Sequence, residues 1–125
     1  MNTQTRRSFL LAASVSALIP RSAPAQSQVT RIVVPFNAGG ATDNYVRLIA
    51  SELSNRGVQT IVENKPGASG IIGADYVAKS KPDGATLFMG SNSTMANNTV
   101  LFEKMPYDPV RDFAPVSNIG YQPSI

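Results

Sequence analysis

Short runs of β-branched residues alternate along the chain with longer amphipathic stretches. Runs typical of buried parallel strands occur at 31–34, 58–63 and 86–89. Helical spacing, in which apolar residues recur three and four positions apart, occurs at 41–56 and 71–81. A strand–helix–strand–helix–strand order requires crossover connections, so the pattern predicts an α/β fold with a parallel sheet.

The same spacing predicts which helix faces are buried and where the connections lie. Gly57 is the predicted end of the first helix, Gly73 is expected to be a packing residue in the second, and 81–84 has the residues of a turn. A third helix is predicted to open within 90–98, followed by an extended segment at 113–119. The side chains predicted to face the sheet are Tyr45, Leu48, Ile49 and Leu53 in the first helix and Ile71, Ala74, Val77 and Ala78 in the second.

Three loops rich in Gly, Ser, Thr and Asn follow the three predicted strands, at 35–43, 64–70 and 90–94. The carboxyl ends of parallel strands share one edge of a sheet, and ligands of open α/β sheets bind at that edge. Each loop leads into a predicted helix start, whose unpaired backbone N–H groups carry partial positive charge. Glycines let an anion approach the backbone closely. The sequence therefore predicts one wall of an anion-binding crevice.

A plain structural explanation exists for the same residues. Turns after strands commonly need glycine, and Thr42 or Asp43 would suit the cap of the first helix, as Ser69 would suit that of the second. Both interpretations stay open on these residues alone.

The chain begins with the features of an export signal: a basic region, an apolar stretch at 11–19 and a small-x-small cleavage pattern. The apolar stretch is too short to span a bilayer. Paired arginines favour the twin-arginine export route. We therefore expect removal of residues 1–25, a mature chain at 26–125 that begins with Gln26, and a periplasmic location. The residues that carry the predicted signal are Arg6, Arg7, Ala23 and Ala25.

Removal of the signal changes the charge of the protein. The whole chain has 11 basic and 8 acidic residues, but three of the arginines lie in the predicted signal, which leaves 8 of each. A neutral mature domain gives no support for a nucleic-acid surface, which needs a clustered basic face. The sequence contains no cysteine and no histidine, so it has neither a disulfide framework nor the usual base of a nucleophilic serine.

The loops lack the signatures of nucleotide binding and of catalysis. Their glycines do not have G-x-G-x-x-G spacing, no phosphate-loop lysine is present, and neither a G-x-S-x-G nor an H-E-x-x-H pattern occurs. Lys65 is the single basic residue of the three loops. A small carboxylate needs only a few N–H and hydroxyl donors. We therefore expect a carboxylate ligand, no cofactor, no metal and no enzymatic activity.

Several separate segments resemble one family in order and spacing. They are RIVVPFNAGGATDNYVRLIASEL, IVENKPGASGIIGADYVAKSKPDGATLFMGSNST and LFEKMPYDPVRDFAPVS. The resemblance is to the Bug-type, or TctC-like, extracytoplasmic solute receptors of tripartite tricarboxylate transporters, and it runs from about Val29 to the end. It implies two α/β domains of the type II periplasmic binding-protein architecture. It also implies a receptor that captures small carboxylates or related solutes for a membrane permease.

The resemblance further implies which loop residues contact the ligand. Backbone N–H groups are expected to hold a carboxylate and Phe36 to cover the apolar part of the ligand. Asp43 is expected either to select a ligand amino or hydroxyl group or to order the loop. The implied ligand-binding residues are Phe36, Ala38, Gly39, Gly40, Thr42 and Asp43 in the first loop, Gly67, Ala68, Ser69 and Gly70 in the second, and Ser91, Ser93 and Thr94 in the third.

Receptors of this family have roughly 300 residues, about what two domains require. The resemblance therefore implies that the chain holds only the N-terminal part of a first domain, with the second domain absent. The expected function is that of a fragment of a solute receptor. Two alternatives stay open: a truncated α/β fragment or interaction module without binding function, and half of an exported nucleotide-using enzyme.

Overall fold

The computed structural model describes residues 28–121. The predicted export signal, with Arg6, Arg7, Ala23, Ala25 and the expected new amino terminus Gln26, lies outside the described residues. The elements in chain order are β1 (Thr30–Val34), α1 (Ala41–Asn55), β2 (Thr60–Asn64), a 3-10 turn (Ala68–Gly70), α2 (Ile71–Ala78), β3 (Thr86–Phe88), a π-helical turn (Ser93–Asn97) and α3 (Asn98–Leu101).

All three strands run parallel in one sheet, in the order β2–β1–β3. In the middle of β1, Ile32 lies opposite Val62 of β2 and Leu87 of β3. The predicted α/β fold with a parallel sheet and flanking helices is therefore confirmed. Since the strands are parallel, the loops that follow them all leave from the same edge of the sheet.

The apolar core forms where α1 lies against the sheet. Ile32 and Val34 of β1 are buried together with Val46 of α1. Val33, whose side chain alternates to the opposite face of the strand, is also fully buried. Partly buried apolar side chains surround the core cluster: Phe36, Leu53, Val62, Leu87 and Met89.

The predicted buried face of α1 is wrong near the start of the helix. Tyr45 and Leu48 are 45% and 68% exposed, whereas Asp43, Val46 and Ala50 are buried. The buried residues are spaced i, i+3 and i+7, which is one helical stripe. The hydrophobic pattern treats Asp43 as a surface residue. Because its carboxylate is in fact buried by loop partners, the contact face is rotated towards Asp43.

The end of α1 is built as predicted. Gly57 has a left-handed φ of +86°. Its N–H donates to Ser54 O at 3.0 Å, and Val58 N donates to Leu53 O at 3.0 Å. This pair of bonds is the Schellman arrangement, which needs a residue without a Cβ at the left-handed position.

Helix α2 lies against the sheet through its smallest residues. It ends at Ala78, three residues earlier than predicted. Gly73 and Ala74 are buried, while Ile71 is half-buried. A Cβ on Gly73 would lie 3.0 Å from Lys65 O and 3.2 Å from Pro35 Cβ. The expected packing role of Gly73 is therefore confirmed.

The predicted extended segment at 113–119 forms no strand within the described residues. It is attached by side chains instead. The ring of Phe113 lies 5.5 Å from that of Phe88 and 5.7 Å from that of Tyr107, and Tyr45 Oη donates to Ile119 O at 2.9 Å. Among residues 28–121, no helix has the length and apolar character needed to cross a bilayer.

Candidate functional site

The three loops that follow the strands meet at Gly70. A Cβ on this residue would lie 2.6 Å from Thr94 Cγ2 and 3.2 Å from Pro35 Cβ. Pro35, Gly70 and Thr94 come from different loops, and all three are buried. The convergence predicted from the strand order is therefore present at the carboxyl edge of the sheet.

The first loop is organised by the carboxylate of Asp43, which is only 1% exposed. Its Oδ2 accepts from Gly39 N at 2.8 Å and from Arg47 Nε at 2.9 Å. Its Oδ1 accepts from Asn64 Nδ2 at 2.9 Å, and the same amide also donates to Phe36 O at 3.1 Å. Asp43 and Asn64 thus join the first loop to the end of β2. This geometry matches the loop-ordering role among the two expected for Asp43.

These contacts lower the pKa of Asp43 to about 2, from an ordinary 3.8. The hydrogen bond from Arg47 is the largest cause, followed by those from Gly39 N and Asn64, and together they outweigh the desolvation of the carboxylate. The bonded, ionised form is therefore the stable one in the folded protein.

Acid is expected to destabilise the protein through Asp43. A depressed folded-state pKa contributes stability that is present above pH 3.8 and is lost as the pH falls through about 2. Urea unfolding of the wild type and of Asp43→Asn across this range checks the prediction. The Asn variant should be less stable at about pH 5 and should lose less stability on acidification, because position 43 no longer titrates. Parallel pH curves would contradict it.

The start of α1 is open at the same edge. Its N-cap is Gly40, which has extended backbone (φ −73°, ψ 169°) and no side-chain cap among the described residues. Ala38, Gly39 and Gly40 are exposed. The first N–H groups of a helix have no intrahelical acceptor, so α1 presents backbone donors and the positive end of its dipole here. Thr42 is not the cap that the structural alternative expected.

The second loop has an unusual backbone. Gly67, Ala68, Ser69 and Gly70 have successive φ values of +122°, +47°, +54° and +86°. We call these four residues the left-handed turn. Two of them carry a Cβ, which makes the conformation strained, and strain of this kind is concentrated at functional sites. Gly70 N donates to Gly67 O at 2.9 Å. Ser69 is not a side-chain cap of α2, whose N-cap is Gly70.

The third loop is closed by its own hydroxyls. Ser91 N donates to Thr94 Oγ1 at 2.9 Å, and Thr94 N donates to Ser91 Oγ at 3.4 Å. The hydroxyl of Tyr107 donates to Thr94 O at 2.6 Å from outside the loop. Burial raises the pKa of the Tyr107 phenol above 10.0, an effect that the nearby Asn98 amide opposes.

The predicted site residues differ in what they present to solvent. Asp43, Gly70 and Thr94 are buried, so they support the site from within. Among the others, the exposed ones are Ala38, Gly39, Gly40, Gly67, Ala68 and Ser69, and the half-buried ones are Phe36, Thr42, Ser91 and Ser93. Sequence reasoning missed three residues that hold the loops together, namely Asn64, Asn98 and Tyr107. A polar residue directly after a predicted strand was a signal for Asn64, whereas the other two had none.

Lys65, the single basic residue of the three loops, is paired with residues outside these loops. Lys65 Nζ lies 2.8 Å from Glu63 Oε1 and 4.1 Å from the centre of the Tyr76 ring. Arg47, which lies beside the first loop, is paired with Asp43. The exposed donors of the edge are therefore neutral N–H and hydroxyl groups, which suit a singly charged carboxylate group better than a polyphosphate.

A surface concavity is present in the structure, but it lies away from the three loops. It has a volume of about 490 Å³ and is lined by Val29, Ser54, Gly57, Gln59, Thr60 and Ile61. These residues lie at the amino ends of β1 and β2 and at the end of α1, opposite the three loops. We place the candidate site at the carboxyl edge because the donors and the strained backbone are there. Among residues 28–121, no group of three acidic side chains is arranged to hold a metal ion.

Comparison with known proteins identifies the family. The model of the tripartite tricarboxylate transporter family receptor, TctC, matches residues 45–125. A UPF0065 protein of Bordetella bronchiseptica is 39% identical over 121 residues, which are 94% of this chain and 36% of that protein. Protein BugT of Bordetella pertussis is 38% identical over 117 residues, 92% of this chain and 34% of BugT. The chain thus spans about a third of the length of these relatives.

Solved structures show the same relationship. One described as a periplasmic transporter matches with a TM-score of 0.71 at 45% identity, over 75% of this chain and 32% of its own. MatC from Rhodopseudomonas palustris with bound malate matches with a TM-score of 0.65 at 42% identity, over 70% of this chain and 30% of MatC. Another R. palustris protein, with adipate, matches with a TM-score of 0.64 at 41% identity, over 68% of this chain and 29% of its own. The family model covers more than half of the chain. The chain therefore belongs to the tripartite tricarboxylate transporter receptor (TctC) family, as a Bug-type receptor.

Proposed function

We propose that this chain supplies one wall of a periplasmic binding site that captures a small carboxylate. One observation carries the proposal: the uncapped start of α1 and the first three residues of the left-handed turn are both exposed at the carboxyl edge of the sheet. Both segments present backbone N–H groups, and neither has a free cation. Such a surface can bind one carboxylate group through several short hydrogen bonds.

Each part of the edge has a role in this proposal. Backbone N–H groups near Gly40 and in the left-handed turn donate to the carboxylate oxygens, directly or through ordered waters. The half-buried ring of Phe36 covers the apolar part of the solute, and the hydroxyls of Ser91 and Ser93 line the third side. Asp43 does not touch the solute. It keeps Gly39 and the start of α1 in place through its three hydrogen bonds.

The relatives support a carboxylate as the solute. MatC was solved with bound malate and a second relative with adipate. Both molecules have two carboxylate groups on a short carbon chain. We propose that one group binds the edge described here and that the other reaches a second wall. That wall belongs to the remainder of a full-length receptor, since this chain spans about a third of its relatives.

The two-wall arrangement explains how binding would be signalled. In receptors with a ligand cleft between two domains, closure around the solute creates a surface that a membrane permease can distinguish from the open form. We propose that residues 26–125 form part of the first domain and that closure delivers the solute to the permease subunits. The receptor itself performs no chemistry on the solute in this scheme.

The periplasmic location also belongs to the proposal. The twin-arginine pair at Arg6 and Arg7 and the cleavage pattern before Gln26 support export and removal of the signal. Sequencing the amino terminus of the periplasmic form tests this. A start at Met1 would contradict it.

Binding of carboxylates by a full-length receptor that carries this chain tests the proposed function. We expect malate or adipate to raise its melting temperature, because a ligand that binds only the folded state stabilises it. A propylamine control should not. The 125-residue chain alone should bind malate with a Kd weaker than about 1 mM, which is a binding free energy smaller than roughly 4 kcal/mol, because it supplies one wall of the proposed cleft. If no carboxylate stabilises the receptor, the proposed function is wrong.

A further inference from the structure

The left-handed turn needs support from outside itself. Two of its residues, Ala68 and Ser69, carry a Cβ in a left-handed conformation, which the chain adopts only when its surroundings impose it. Two backbone bonds close on the turn, from Gly70 N to Gly67 O at 2.9 Å and from Ile71 N to Ala68 O. The turn is also mostly exposed, so burial contributes little to holding it.

Asn98 of α3 is placed to provide that support. It is 1% exposed, and its Nδ2 donates to Ser69 O at 3.1 Å, 29 residues away in the chain. Its Oδ1 is buried without a hydrogen-bond partner among residues 28–121. A buried acceptor without a partner is unfavourable, so the amide is not explained by the stability of α3 alone. The hydrogen bond that Asn98 Nδ2 donates to Ser69 O is the contact that an apolar side chain could not replace.

A second contact holds the turn from the same side. Gly70 lies against the methyl group of Thr94. Thr94 is fully buried, and the hydroxyl of Tyr107 bonds its carbonyl oxygen at 2.6 Å. Asn98 therefore holds Ser69 directly, and Tyr107 holds Gly70 indirectly by fixing Thr94 against it.

We propose that Asn98 is a positioning residue for carboxylate binding, and that it keeps the strained left-handed turn in the geometry that aims its N–H groups at the solute. Tyr107 assists by holding Thr94 against Gly70. This inference rests on the proposed function, because it assigns the turn to the carboxylate site. It goes beyond that function by placing a determinant of affinity on α3, a short helix that lies behind the turn.

The test uses Asn98→Asp, which keeps the shape of the side chain and removes the donor to Ser69 O. Tyr107→Phe removes the hydroxyl that bonds Thr94 O and lies beside the Asn98 amide. Thr99→Ala is the matched control, since Thr99 is exposed and its hydroxyl, among residues 28–121, bonds Ala96 O. Hydrogen exchange of the Gly70 amide in the 125-residue chain reports the turn without any ligand. Titration of the full-length receptor with malate reports binding.

We expect Asn98→Asp to speed exchange of the Gly70 amide and to raise the Kd for malate, each by about tenfold. Tyr107→Phe should have smaller effects in the same direction, and Thr99→Ala none. A merely structural role would lower the melting temperature without selectively opening the turn. Unchanged Gly70 exchange in Asn98→Asp overturns the inference, as does an open turn with an unchanged Kd. A wild-type receptor that binds no carboxylate overturns the proposed function instead, and the exchange result still decides whether Asn98 holds the turn.

Discussion

Replacing Gly70 by alanine is expected to lower the free energy of unfolding by about 3 kcal/mol, through two separate effects. The residue has a φ of +86°, so any Cβ introduces backbone strain. The new Cβ would also lie 2.6 Å from Thr94 Cγ2. That methyl group has no easy way to move, because the Thr94 hydroxyl accepts from Ser91 N and the Thr94 carbonyl from Tyr107.

Gly84→Ala is the matched control for this change. Its φ of +76° is similar, but nothing lies within 4 Å of the position of its Cβ. It should therefore show only the backbone effect, about 1 kcal/mol. Urea denaturation of both variants measures the difference. Equal losses of stability would mean that the close approach of the three loops at Gly70 has no energetic weight.

If the proposed carboxylate site is right, replacing Gly40 by valine weakens the binding of malate to a full-length receptor by about 1–3 kcal/mol, which is roughly 5- to 150-fold in Kd. The branched side chain would stand beside the first N–H groups of α1 and keep the carboxylate away from them. The backbone at Gly40 has an ordinary φ of −73°, and its Cβ would be 3.4 Å from Asn37 O, a normal contact. The variant should therefore fold.

Gln59→Val separates this effect from a general response to a new isopropyl group. Gln59 is exposed just before β2, at the amino edge of the sheet. Calorimetric titration with malate should give an unchanged Kd for this control. A folded Gly40→Val receptor with wild-type affinity would show that the first loop does not contact the solute.

The chain belongs to the tripartite tricarboxylate transporter receptor family, and two of the variants test the proposed carboxylate site from different sides. The Gly40 variant tests direct contact with the first loop, and the Asn98 variant tests support of the second. Different results for the two would assign the carboxylate to one segment or the other.

Local patterns in the sequence were enough to predict the order of the elements and the edge at which the loops lie. β-branched runs and helical spacing are local signals, so β1, α1, β2, α2 and β3 were predicted with only their ends displaced. The end of α1 at Gly57 follows from the properties of one residue. The parallel arrangement follows from the alternation of strands and helices, which requires crossover connections, and it brings the three loops to one edge without any knowledge of side-chain contacts.

The contacts that hold this edge together join residues far apart in the chain and are seen only in the folded structure. The burial of Asp43 depends on Asn64, which is 21 residues away, and it rotates the contact face of α1 away from Tyr45 and Leu48. The support of Ser69 by Asn98 likewise joins residues 29 positions apart. A hydrogen bond between distant residues leaves no periodicity in the sequence, because its energy arises only when folding removes both groups from water.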